Sequence, residues 1–199
     1  MGETMRCVKA CGFMASGAHG RIRGSMDLRY PIGEFRFPET VSTTERARFI
    51  QQIADTPERL RAAIDGLDRE QLETPYRPGG WSVRQVVHHL PDSHLNSYVR
   101  FKLAVTEDEP KIKGYDEAAW AELEDGKNAS VETSLALLSS LHERWVMFLR
   151  SLGHEECARA FHHSALGRVR VEQNIALYAW HGRHHVAHIE ALREREGWR

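Results

Sequence analysis

Cysteine is scarce in this chain of 199 residues: Cys7, Cys11 and Cys157 are the full complement. Three scattered thiols cannot make a disulfide framework, which excludes the small stapled secreted scaffolds and fits a reducing compartment. Cys7 and Cys11 have CxxxC spacing but no second ligand pair nearby, so no metal or redox motif is read there. Cys157 follows Glu155 and Glu156, whose charges raise its thiol pKa and make it a poor nucleophile. Long apolar runs are missing as well. No stretch approaches the roughly 18 residues of a membrane helix, and residues 1–25 lack the apolar core of a signal peptide. Charge of one sign is missing too: 27 Lys and Arg face 28 Asp and Glu, for a formal net charge of -1. That balance leaves no broad basic footprint for nucleic acid and no polybasic tract for an anionic membrane. No phosphate loop, nucleophile elbow or dinucleotide fingerprint occurs. What remains is one cytoplasmic globular domain, long enough to bury roughly 70% of its unfolded surface without staples.

Histidine, by contrast, is abundant, with 12 residues, nine of them in three short clusters. Their setting is helical. Residues 1–25 mix Gly, Ser and Arg without period and read as a flexible leader, with Met26 a plausible alternative start and the folded domain spanning 26–199. Residues 27–41, carrying Pro31, Gly33 and Pro38 among aromatics, read as an extended arm. A capping box at Ser42 and Glu45 opens a first helix over about 43–66, with a break and restart expected at Thr56-Pro57. Ser82 and Gln85 repeat the pattern ahead of a second helix over about 82–106. Pro91 inside it should kink that helix or confine it to its far half. A charged, irregular connection over 107–130 leads to a third helix over about 131–152. A small hairpin over 160–170 and a fourth helix over about 171–195 complete an all-α, four-helix-bundle reading in which the long connection permits a non-sequential topology.

Helical phase sorts the histidines. At about 100° per residue, Glu172, Arg183, Glu190 and Glu194 define the solvent face of the fourth helix, and His181 with His185 bisect close to the opposite, inward direction. His188 is also inward, and His184 lies at the flank. Two neutral imidazoles at i and i+4 make half of a divalent-metal site. Gly182 stands where a HExxH peptidase helix carries its glutamate, so that reading loses its general base. In the second helix His89 shares a stripe with Ser93, Asn96 and Arg100, whereas His88 and His94 point elsewhere, so His89 is the expected third ligand. Buried imidazoles with neither metal nor partners would be costly, which favours ligation of the three. Asp92 is a candidate partner for a ligand imidazole. Asn96, Arg100, Tyr178 and His188 are candidates to line a substrate pocket, Arg100 as a clamp for a carboxylate or phosphate. His19, His142, His154, His162 and His163 read as structural or exposed.

The runs YPIGEF, TPYRPGGWSVRQVVHHLPDSHLNSYVRFKL, PKIKGYDEAAWAEL and NIALYAWHGRHHVAHI resemble the YfiT-type branch of the DinB-like superfamily, over nearly everything from Arg29 to Trp198. The resemblance implies an up-down-down-up four-helix bundle, usually a homodimer, holding one divalent metal on His89, His181 and His185. It also implies either a metal-dependent hydrolase or a thiol S-transferase of the kind that uses bacillithiol, mycothiol or glutathione. Pro91 departs from the small helix-former expected at its position. An open three-histidine site with no strong general base beside it favours the transferase, because coordination alone activates sulfur. The expected enzyme therefore passes a low-molecular-weight thiol to an electrophilic small molecule on Zn²⁺ or Ni²⁺. Hydrolysis by metal-bound water is the alternative, and a non-catalytic metal-binding stress-response module the second.

Overall fold

The computed structural model of the chain describes residues 27–198, so the expected leader, with Cys7, Cys11 and His19, lies outside the described residues. Four long helices carry the fold: α1 (Thr43–Ile64), α3 (Val83–Thr106), α6 (Val131–Ser151) and α8 (Val171–Glu196). Short helices α2 (Arg69–Glu73), α4 (Glu117–Ala121), α5 (Glu124–Asn128) and α7 (His154–Ala158) fill the connections. Helix starts follow the capping chemistry of the sequence. The Ser42 backbone N–H donates to Glu45 Oε2 at 2.9 Å, and the Glu45 N–H donates back to Ser42 Oγ at 3.2 Å. Ser82 with Gln85 and Asp68 with Gln71 do the same for α3 and α2. Gly197, at φ 69°, closes α8 in the left-handed conformation that favours glycine.

Contacts between the helices fix their directions. His88 meets Ser134 and His94 meets His142, so α3 and α6 run parallel. Arg59 meets Glu190 while the Ala63 carbonyl takes a bond from Arg193, so α1 and α8 run parallel. Arg61 meets Glu132 and Gln51 meets Arg150, which makes α1 and α6 antiparallel. His89 meets His181 and Ser97 meets Asn174, which makes α3 and α8 antiparallel. The bundle is therefore up-down-down-up, and the long α3–α6 connection is what lets consecutive parallel helices lie side by side.

That connection is not wholly irregular. It contains α4, α5 and the strand β1 (Lys111–Ile112), which pairs parallel with β2 (Ala160–His163). β2 pairs antiparallel with β3 (Gly167–Arg170) in the expected hairpin, so a small three-stranded sheet adjoins one end of the helical bundle. The arm over 27–41 lies along α8, where the Trp180 indole donates to the Gly33 carbonyl at 3.2 Å and Gln173 Nε2 to the Pro38 carbonyl at 2.9 Å. Among the described residues no helix is long and apolar enough to cross a membrane.

Two expectations about proline need correction. α1 runs unbroken through Thr56-Pro57, and α3 runs through Pro91 over both halves. In α1 the reason is visible: Pro57 leaves the Ile53 carbonyl without its helical N–H, and the His142 ring donates to it instead at 2.7 Å. A satisfied carbonyl removes much of the cost that would otherwise end the helix there.

The apolar core is in two parts. One gathers Ile50, Ile53, Phe101, Trp145, Leu149, Phe161 and Ile175; the other Leu60, Val83, Val87, Leu90, Leu135, Leu138, Val186 and Ile189. Between them, every long helix places polar residues at the same level: Thr56 on α1, Ser93 and His94 on α3, His142 on α6, and His181 and His185 on α8, all buried. This polar waist is bounded on one side by a close approach of α1 and α8. A Cβ at Gly182 would stand 2.6 Å from Thr56 Oγ1 and 2.8 Å from Thr56 Cγ2. Alanine's helix propensity favours Gly182→Ala by about 1 kcal/mol, but overpacking costs about 1–3 kcal/mol. Gly182→Ala is therefore expected to lower the unfolding free energy in denaturant titration, and adding Thr56→Ala to recover most of the loss. Equal stability of Gly182→Ala and wild type would refute the close contact.

Candidate metal centre

Three buried imidazoles meet in the waist. One ring nitrogen from each of His89, His181 and His185 lies within 4.8 Å of the other two, and no carboxylate or thiol joins the group among the described residues. His89 Nε2 and His181 Nε2 stand 3.4 Å apart. Two nitrogens each about 2.05 Å from a tetrahedral ion are separated by about 3.3 Å, so this spacing fits a shared cation. Trp81 covers the group from outside, its ring 4.7 Å from that of His89 and stacked at 6.3 Å on that of His185.

The hydrogen-bond chain behind His181 decides which of its nitrogens is free to ligate. The Ile53 carbonyl can only accept, so His142 carries its proton on Nδ1 and donates it there. His142 Nε2 is then an acceptor, and His94 Nδ1 donates to it at 2.7 Å. His94 Nε2 is in turn an acceptor, and His181 Nδ1 donates to it at 3.0 Å. His181 Nε2 thus keeps its lone pair, turned toward His89. One backbone carbonyl, exposed by one proline, sets three tautomers in series.

Electrostatics keep these rings neutral. Burial, helped by the neighbouring His184, pulls His89 down to about 3. Burial is also the main cause that holds His94, His181 and His185 well below the ordinary histidine value, with neighbouring imidazoles adding to it. His142 falls to about 4 for the same reason, partly offset by its bond to Ile53. Neutral imidazole is the ligating form, so the site is prepared for a divalent cation at neutral pH.

The other candidates are distributed unevenly. Tyr178 lies beside the group, its ring 5.3 Å from His181 and its hydroxyl donating to the Ser93 carbonyl at 3.3 Å. His188 is a neighbour: its ring is 5.9 Å from His185, and its Nε2 is 3.1 Å from His184 Nε2. Asn96 turns back along its own helix and donates to the Asp92 carbonyl at 2.9 Å. Asp92 is half-buried and pushed up to about 6 by burial and by the nearby charge of Asp125; the bond to His181 is made by His94. His88 bonds to Ser134 at 2.7 Å, away from the group. His94 and His142 were the residues that sequence reasoning missed. Their signal, a second inward imidazole on α3 and one on α6, becomes legible only once α3 and α6 are known to be parallel neighbours.

Comparison with known proteins gives a consistent result. A model of the DinB superfamily matches residues 52–189. Proteins of Bacillus mycoides (strain KBAB4) and Bacillus cereus (strain 03BB102) are each 54% identical to this chain over 172 residues, which cover 86% of it and 99% of the relative. Both are named "Putative metal-dependent hydrolase". The solved structure of YfiT from Bacillus subtilis, described as "a probable metal-dependent hydrolase with an unusual four-helix bundle topology", superimposes with a TM-score of 0.85 at 47% identity. That match covers 87% of this chain and all of that one.

Two outcomes are expected of the histidine chain. His142→Leu, which removes both its donor and its acceptor, should weaken zinc binding about 10–100-fold in competition with a chromophoric chelator. His142→Gln, which retains one of each, should recover most of it; equal affinity in all three proteins would remove His142 from the site. The metal-free protein should also lose stability in acid. Below about pH 6.5 the unfolded chain binds protons that these buried rings refuse, so stability rises with pH. The expected slope is about 1.4 kcal/mol per pH unit for each ring still neutral, with the contribution of His142 levelling off near pH 4. Denaturant melts between pH 4 and 7 measure it.

Proposed function

The chain belongs to the DinB superfamily, and we propose that it is a metal-dependent enzyme transferring a low-molecular-weight thiol, of the bacillithiol kind, to an electrophilic small molecule. The observation that carries this reading is the all-imidazole composition of the group formed by His89, His181 and His185. Three neutral ligands leave a bound Zn²⁺ or Ni²⁺ its full charge, with which it acidifies a thiol or a water brought to it. His89, His181 and His185 hold the ion, and His94 and His142 hold the ring of His181 in its ligating tautomer. Trp81 excludes solvent from one side. Tyr178, anchored to Ser93, offers a hydroxyl beside His181 for orienting a substrate. Among the described residues no carboxylate joins the group to take a proton from water, which favours sulfur, whose deprotonation by the ion alone is sufficient.

Hydrolysis is the second reading, supported by the names of the Bacillus relatives. One assay separates the two. Zinc- or nickel-loaded protein is incubated with chlorodinitrobenzene, with and without a small thiol, and in parallel with a chromogenic ester. Thiol-dependent arylation that falls to background in His89→Ala is expected. Ester cleavage indifferent to thiol would favour hydrolysis, and silence in both assays a binding module without catalysis.

A further inference from the structure

Arg100 is only 7% exposed, yet it makes no hydrogen bond or ion pair with any described residue, and its Nη2 is sealed from solvent without an acceptor. A buried guanidinium with five donors and no ion pair among the described residues is an expensive arrangement for a structural residue. A second unmet donor accompanies it. His163 is 3% exposed and its Nε2 has no partner. The Ala165 backbone N–H donates to His163 Nδ1 at 3.1 Å, so the proton of the neutral ring sits on Nε2, and that atom is a donor facing no acceptor.

The sheet explains how the two come together. Phe161 on β2 and Phe101 of α3 belong to one apolar cluster, β2 and α3 are in contact, and His163, two residues on from Phe161, shares its face of the strand. His162 points the other way and is met by Glu109 at 2.9 Å. The outward histidine has its carboxylate, and the inward one has none. Arg100 in turn acts electrostatically on His163, which burial and this positive neighbour hold down at about 4. Backbone approaches closely here: a Cβ on Gly114 would stand 3.4 Å from His163 Cε1.

We propose that Arg100 and His163 form an anion-recognition subsite that takes a carboxylate or phosphate group of the substrate. Two buried donors without an acceptor are complementary to an oxyanion and to little else. Arg100 lies within about 20° of His89 around α3 and three turns along it, roughly 16 Å of rise, so a ligand reaching both ends is elongated. Only that link to the three-histidine centre rests on the enzymatic reading above; the subsite itself does not.

The test titrates the full chain, metal-loaded and metal-free, with inorganic phosphate and with succinate by calorimetry. At least one anion is expected to bind both forms, and which one identifies the group recognised. Arg100→Met should weaken that binding at least about tenfold, Arg100→Lys less, because a point charge replaces the fork, and His163→Phe about threefold or more. The His163 Nε2–H resonance should shift on anion addition to wild type. In anion-free buffer Arg100→Met should melt roughly 2–4 °C higher, since it removes an unpaired buried charge. Absence of binding by either anion, binding that disappears with the metal, or undiminished binding by Arg100→Met would each overturn the proposal. Because the metal-free arm needs no turnover, a failed thiol-transfer assay and a failed anion titration are separate results.

Discussion

An imidazole buried away from water must be neutral and must place both of its nitrogens, one as donor and one as acceptor. That requirement governs the middle of this protein. Three helices bring rings to one level and the fourth brings a carbonyl, and each ring's proton is committed by the next, from the Ile53 carbonyl through His142 and His94 to His181. The direction of the chain is not symmetric. Because a carbonyl cannot donate, the series can be read only one way, and it ends on a lone pair directed at His89.

Pro57 links this chemistry to the architecture. In an ordinary helix the Ile53 carbonyl would be taken by its own backbone four residues on, and the His142 ring would have to share it. Removing that N–H makes the carbonyl a dedicated acceptor for a neighbouring helix, and the neighbour repays the helix by satisfying it. The same contact ties α1 to α6 and, through His94, orients the His181 ring on α8. Fold and site therefore share one hydrogen bond, and neither can be altered there without the other. The apolar residues above and below the waist supply most of the driving force for packing, while the waist itself supplies register, since a slip of any helix would break the series.

Much of this was legible in the sequence, for reasons that can be named. Capping boxes at Ser42 and Ser82 and apolar periodicity gave the long helices nearly to the residue, because both signals are local. The phase of α8 separated His181 and His185 from the charged face for the same reason. Neither the break expected at Thr56-Pro57 nor a helix confined beyond Pro91 is found, because the cost of a proline in a helix depends on what satisfies the carbonyl it frees, and at Pro57 that group arrives from a residue distant in sequence. β1 could not be foreseen from two residues, Lys111 and Ile112, that become a strand only through pairing with β2.

The sequence by itself determined the elements, the inward faces and the three imidazoles that converge, since each of these follows from spacing along one helix and from the chemistry of histidine. Tertiary structure alone decided which other groups those residues meet. That His94 rather than Asp92 stands behind His181, that His142 bonds to His94 although it is remote in the chain, and that Arg100 acts on His163 are all consequences of parallel α3 and α6 and of a sheet laid against α3. Such neighbours are chosen by topology and register, which no local pattern in the chain records.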